Sequence, residues 1–400
     1  MRPTQISNRK PRDPKQRILF LLLLLAAVWG GKYFLVKHMY LPRLVLTQPT
    51  PALDSSMRWS DNSSVASVAI SPDGKTIFSG GSFPFAHPII QPSPKDIRTY
   101  NVNALVPICV WDAQTGKLSR TFDGHRVTVE ALACSHDGKL LASSGMDFTT
   151  RLWNCHTGLQ IWKRSGLAFS LCFSQDDKHL AVGSQMLSTS SGQLEYSYNP
   201  MAQNLAETSF SPDGKIFACV NGNDLKTIVN LPGQPFSQKT VGEHAQLWDI
   251  SKRRLLRTLP YNRTQAVLFT PDGVSLVCVS NLGSPDFPDR GSELHSINAQ
   301  TGKENWKWPT DSDPSSGDKT FVSLAFSPNG KWLAAECFPQ QILLLNAATG
   351  KLVRYLHPLE WNKNGGGFIT PSGIGFSSDG KTLVERGRHT VQIWDTSTLF

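Results

Sequence analysis

The chain has 400 residues, 40% hydrophobic and 10% aromatic, enough apolar material for a large core or for one assembled from repeated units; a disordered polyelectrolyte is excluded. A formal net charge of +9 would suit a nucleic-acid binder if it were spread over the molecule. Residues 2–43, however, hold nine basic side chains (Arg2, Arg9, Lys10, Arg12, Lys15, Arg17, Lys32, Lys37, Arg43) against Asp13 alone, so the charge after Arg43 is close to zero and no nucleic-acid partner is expected.

In chain order, residues 1–17 form a basic tail, followed by "ILFLLLLLAAVWGGKYFLV", Ile18–Val36, interrupted only by Lys32. As a helix this run rises about 28 Å, close to the hydrocarbon thickness of a bilayer. Ile18–Leu25 alone contributes about −4 kcal/mol to insertion, and Lys32, near one end, can snorkel. A cleaved signal peptide has the same order of charge then apolar run, but no A-x-A site follows; Val28-x-Gly30 is the nearest match. Residues 18–36 are therefore read as a transmembrane signal-anchor helix, with the bilayer as one partner. Six basic residues before it and three just after its core place the N-terminus in the cytoplasm and the remaining chain on the extracytoplasmic side.

Residues 37–60 read as a linker in which "LPRLVLTQ", Leu41–Gln48, is a candidate strand. From residue 61 to 400 one pentapeptide returns seven times: "SPDGK" at 71, "SHDGK" at 135, "SQDDK" at 174, "SPDGK" at 211, "TPDGV" at 270, "SPNGK" at 327 and "SSDGK" at 377. An alternating segment such as "VEALACS" precedes it, and an apolar strand such as "KLLASSG" follows. Asp bonds the backbone ahead of it and Gly takes the positive φ that a tight turn needs. After a connection of variable length comes a third strand, as in "CVWDAQTGKL", whose Thr-Gly turn leads to a fourth. The unit is a four-stranded antiparallel meander.

At these residues the chain resembles the WD-repeat β-propellers, which implies an all-β, seven-bladed ring of four-stranded antiparallel blades. Three repeats end the third strand in Trp-Asp: Trp111-Asp112, Trp248-Asp249 and Trp394-Asp395. The second repeat has Trp153-Asn154 and the family's Gly-His, Gly124-His125. The resemblance maps the family's hydrogen-bonded tetrad onto His125, Ser143, Asp147 and Trp153, a structural role that ties one blade together. The third repeat departs from the pattern, with Leu187 in the Trp position and "SSGQL" in place of "TGKL". "INAQTGKENW" and "CHTGLQIW" are also similar to the tryptophan-docking repeat of quinoprotein-type propellers, which keeps a dehydrogenase as an alternative.

Seven units close a ring without leaving long sheet edges. Phe400 follows the third strand of the seventh unit directly, so the outermost strand of that blade is expected from Leu41–Gln48 or, as an alternative, from "SMRWS". In a meander, first-to-second and third-to-fourth turns share one face, and here they are short. The long excursions, 82–105, 221–243, 280–293, 307–320 and 357–371, all belong to the other face. They carry Phe83, Phe85, Tyr100, Phe236, Phe287, Trp308, Trp361 and Phe368, read as candidate anchors for a protein or peptide partner.

Catalytic signatures are weak. "GFSSDGKT", Gly375–Thr382, matches a phosphate-loop pattern, but such a loop must open a helix, and here it lies between strands. Asp286, Asp289 and Glu293 could hold calcium, though a solvated loop is the plainer reading. Six of the seven cysteines fall in apolar runs with no C-x-x-C pair, as buried free thiols do. No catalytic, cofactor-binding or metal residue is assigned, no cofactor is expected, and nothing points to a small-molecule substrate. The expectation is a membrane-anchored, non-enzymatic scaffold. The alternative is an extracytoplasmic quinoprotein-type dehydrogenase or hydrolase with its site at the central channel mouth.

Overall fold

A computed structural model describes residues 44–47, 64–82, 105–198, 208–221, 244–282 apart from 262, 291–309, 319–338, 341–357, 373–387 and 390–398. Residues 1–43, with the expected tail and anchor, lie outside these; among the described residues no helix is long and apolar enough to cross a membrane.

Seven four-stranded sheets are present, each antiparallel and each in simple meander order. Blades I to VI span Ser64–Phe122, Val129–Ser165, Leu171–Ser197, Thr208–Thr258, Thr264–Trp308 and Thr320–Leu356. Blade VII takes three strands from Ile374–Asp395 and its outermost from Leu44–Thr47, which pairs antiparallel with the third strand in the register Leu44↔Ile393 to Thr47↔Thr390. The innermost strand of each blade touches the innermost strands of both neighbours, blade VII meeting blade I, so the ring is closed.

The pentapeptide makes the first turn of every blade, and its letters have separate duties. In blade I, the Ser71 hydroxyl donates to Asp73 Oδ1 (2.6 Å) and accepts the Thr76 amide (2.9 Å), while Asp73 also accepts the Lys75 amide (3.1 Å). Gly74, at φ 70°, donates its amide to the Ser71 carbonyl. The Lys75 carbonyl accepts the Ala113 amide, just past the third strand, and the corresponding bond recurs in all seven blades. The one turn lacking glycine has a reason: Asp177, at φ 55°, accepts the His136 and Asp137 amides of the preceding blade, both at 2.9 Å. "GFSSDGKT" is another such turn between two strands, with no helix to hold phosphate.

Core side chains lie between blades. Among the described residues, apolar clusters each combine two neighbouring blades; Trp153 and Leu141 of blade II pack with Phe78, Ile108 and Phe122 of blade I, while Leu152 and Ala142 pack with Phe173 and Leu180 of blade III. Inner strands are thus buried on both faces, and the sequence alternation expected of a half-solvated sheet gives way to runs such as Leu140–Gly145, where only Leu140 is partly exposed. Outer strands are exposed, as in Leu118–Phe122. All seven cysteines are free thiols, and Cys109, Cys219, Cys278 and Cys337 are buried.

Because Leu44–Thr47 covers the edge of Thr390–Asp395, deleting residues 1–48 should lower the thermal midpoint by about 5 °C and promote self-association through the bare edge. Calorimetry and sedimentation check this. Deleting residues 1–40 alone should do neither to the propeller.

Candidate functional site

The tetrad residues meet in blade II. Trp153 Nε1 donates to Ser143 Oγ (2.8 Å), Ser143 Oγ lies 2.7 Å from His125 Nε2, and His125 Nδ1 lies 3.0 Å from Asp147 Oδ1. One proton order satisfies all three: indole N–H to serine, serine O–H to Nε2, and Nδ1–H to the carboxylate. Burial is the largest influence on His125 and lowers its pKa against the pull of Asp147, so the imidazole is neutral. Burial would raise Asp147, but hydrogen bonds from His125, the Thr149 hydroxyl and the Arg126 amide outweigh it and hold the carboxyl well below its usual range. The network joins the entry loop, the second strand, the second-to-third turn and the third strand. Every member is satisfied within the blade, which makes it a tie and not a reaction centre.

The other Trp-Asp pairs divide in two. Asp112 and Asp249 cap third-to-fourth turns, Asp112 Oδ1 accepting the Gln114 and Thr115 amides and Asp249 Oδ1 that of Lys252, while Asp395 Oδ1 accepts the Ser397 amide in the short turn that follows the third strand of blade VII. Asn154, Asn298 and Asn346 do the same work. Under the indoles, Ser79 accepts from Trp111 (2.8 Å) as Ser143 does from Trp153. The register puts Cys219 and Glu385 in that place beneath Trp248 and Trp394, whose indole N–H groups are buried without an acceptor.

Of the candidate anchors, Phe83, Phe85, Tyr100, Phe236, Phe287, Trp361 and Phe368 lie outside the described residues. Trp308 must be withdrawn. It ends the fourth strand of blade V, is 1% exposed and packs edge-on against Phe321 with centroids 5.3 Å apart, so it belongs to the core between blades V and VI. An exposed aromatic that the sequence reading did not single out stands on the same face. Phe148, in the second-to-third turn of blade II next to Asp147, is 63% exposed and sits at φ 56°. A bulky residue in that region costs about 1–2 kcal/mol, and its ring gains nothing back from burial. Leu105 and Leu282, also exposed, stand at strand ends of the same face in blades I and V.

A charged cluster lies where inner strands begin and second strands end, the loop-side end of the channel wall. Arg386 Nη1 of blade VII donates to the Ala66 carbonyl of blade I (2.7 Å) and its Nε lies 4.0 Å from Glu336 Oε1 of blade VI. Glu130, near the start of blade II's inner strand, is buried, and desolvation pushes its carboxyl up to about 7 against the Arg386 charge. Burial raises Glu336 as well. In blade V, His295 Nε2 lies 2.9 Å from Ser280 Oγ and Nδ1 3.0 Å from Glu304 Oε2, with Tyr261 stacked on the ring at 4.0 Å and donating its hydroxyl to Glu304 (2.6 Å). Ser280 and His295 are about 95% buried, so this serine–histidine–glutamate chain ties strands and offers no substrate a nucleophile. Glu293, considered for calcium, pairs with Lys307 (2.6 Å), and no metal-ligating cluster exists among the described residues.

Radially packed four-stranded meanders, tied by hydroxyl, imidazole, carboxylate and indole, define a β-propeller of repeating units. The family described as WD domain, G-beta repeat matches residues 55–82 and 116–154, so these two segments are similar to WD repeats. It is 37% identical over 78 residues to the small ribosomal subunit protein RACK1y of Oryza sativa subsp. japonica, a match covering 19% of this chain and 23% of that protein. It is 36% identical over 86 residues to the periodic tryptophan protein 2 homolog of Schizosaccharomyces pombe, covering 19% of this chain and 9% of that one. Among solved structures, the Kuenenia stuttgartiensis hydrazine synthase shares the fold with a TM-score of 0.62 at 17% identity, covering 86% of this chain and 99% of its own.

Two measurements test these networks. Ser143→Ala leaves the indole N–H and His125 without their shared partner and should cost about 2–3 kcal/mol by denaturant unfolding. Glu130 has its folded pKa above its unfolded one, so it adds stability below about pH 4 that is lost as pH rises through 7. Glu130→Gln should therefore raise the thermal midpoint at pH 8 and leave it unchanged at pH 4.

Proposed function

We propose that this chain is a membrane-anchored scaffold that binds a protein or peptide partner through the face carrying its long connections, with the N-terminus cytoplasmic and the propeller extracytoplasmic. The observation that carries the reading is an asymmetry of the blades. On one face, seven turns of nearly identical length consume their own serine, threonine, aspartate and asparagine groups. On the other, the strand ends at Ser82, Asn221, Asn281, Trp308 and Leu356 open into the insertions, and Phe148, Leu105 and Leu282 stand exposed among them. Exposed aromatic side chains held rigidly at a surface supply interface energy at low entropic cost. The anchor reading rests on the basic tail and the apolar run 18–36.

Phe148→Gly removes both the ring and the strained backbone. The expected result is unchanged or increased thermal stability with at least tenfold weaker partner capture in membrane crosslinking; equal capture counts against this face. Replacing residues 82–105 by a tight turn should likewise spare the fold and abolish capture. Carbonate extraction and protease accessibility from each side of the membrane test the anchor and its orientation.

A second reading, an extracytoplasmic enzyme with its site at the channel mouth, draws on Glu130, Glu336 and Arg386, charged groups converging on that end of the channel wall. An absorbance spectrum of the purified protein showing a bound quinone would favour it.

A further inference from the structure

Neighbouring blades are latched by one slot that recurs around the rim. A fourth-strand residue at the bulge reaches the third-to-fourth turn of the next blade. Trp162 donates Nε1 to the Thr189 carbonyl (2.7 Å) with its ring on Gly192, and Trp306 donates to the Ala347 carbonyl (2.8 Å) with its ring on Gly350. A methyl on Gly192 or Gly350 would stand 2.8 or 2.6 Å from the indole, so glycine is needed there for room as well as for its φ near 68°. Arg257 reaches the Gln300 carbonyl and Arg120 the His156 carbonyl, one residue further along the corresponding turns.

The seam between blades III and IV breaks the pattern twice. The slot residue is Tyr196, paired with Met186 as Trp162 is with Leu152, and the turn glycine is replaced by Arg253, held at φ 51°. The Tyr196 ring therefore packs against a guanidinium where the two indoles pack on a glycine, and its hydroxyl reaches only the Arg253 carbonyl at 3.5 Å. What remains is a cleft of about 470 Å³, the size of a small ligand site, walled by Met186, Tyr196, Tyr198, Phe210, Ile250 and Arg253. Tyr196 and Tyr198 meet edge to face at 4.8 Å, and the Arg253 guanidinium lies 4.9 Å over the Tyr196 ring. The Ile250 carbonyl holds the position of the indole acceptors at Thr189 and Ala347, since all three residues donate their amides to the equivalent carbonyl of the first turn. The carboxylates at the edge are already engaged: Glu195 with His179 (2.8 Å), Asp213 with Ser211 (2.7 Å) and Lys215 (3.2 Å), and Asp176 with Ser174 (2.7 Å). An apolar aromatic floor, a cation for a ring face and a carbonyl at the acceptor position select a neutral ring that bears a donor.

We propose that the seam between blades III and IV binds the indole side chain of a peptide, which lies in the cleft beside Tyr196 and Tyr198, faces Arg253, and donates its N–H to the Ile250 carbonyl. The partner supplies in trans what Trp162 and Trp306 supply in cis at their own seams. This site is on the short-turn side of the propeller, opposite the loop face, and does not depend on it.

N-acetyl-tryptophanamide titrated into the full chain in detergent, followed by ligand-observed NMR, should bind saturably at a single site with millimolar affinity and at least tenfold tighter than N-acetyl-leucinamide. The double variant Tyr196→Trp, Arg253→Gly rebuilds the closed seam of blades II and III; it should melt no lower than the parent and lose binding at least tenfold. Arg253→Gly alone should keep the fold and weaken binding several-fold. Absence of saturable binding to the parent chain overturns the proposal, as does parental affinity in the double variant, or in Arg253→Gly if the double variant does not fold.

Discussion

The structure depends on a small hydroxyl group used twice. In each blade the first residue of the pentapeptide turn donates to the acidic or amide side chain two positions on and accepts an amide at the start of the next strand. This fixes a reversal in five residues with no polar group left over. The carbonyl at its far end then holds the residue beyond the third strand. Inner strand, second strand and third strand are thereby set in register before any packing between blades is considered. A blade so formed is apolar on both sides, and only two more blades can cover it.

Much of this was legible because the turn chemistry is local. Serine, aspartate and glycine within five residues specify one geometry, and seven copies specify its multiplicity. The uncovered edge at Thr390–Asp395 and the spare strand at Leu44–Thr47 could be matched by elimination. What sequence could not separate was burial along strands: Trp308 and Phe148 are both aromatics next to a loop, yet one closes a core against Phe321 and the other stands in solvent. The difference is the pleat of a strand against the bend of a turn. Ser280, His295 and Glu304 were invisible for a similar reason, since their joining depends on a register across three strands.

Trp-Asp dipeptides likewise proved less uniform than their letters. The aspartate always caps the following turn, a short-range task that Asn performs equally well. The tryptophan needs an acceptor from the neighbouring strand, which serine supplies in blades I and II, while cysteine or glutamate occupies that place in IV and VII and the indole N–H is left buried without one. Identity of a motif therefore does not imply identity of its bonds. The same lesson governs the rim, where one arginine in a glycine position opens the latch between blades III and IV.

Sharing the last blade between the two ends of the propeller sets an order of events. Leu44–Thr47 leaves the ribosome long before Thr390–Asp395 exists to receive it, so six blades' worth of chain must be made while both its first strand and the exposed side of blade I await company. The final step is the docking of two segments far apart in the chain, the most distant strand pairing among the described residues, and it waits until blades I to VI have been made. Until then the nascent arc presents a row of unsatisfied backbone groups, and any factor that shields that row would govern the yield of closed rings.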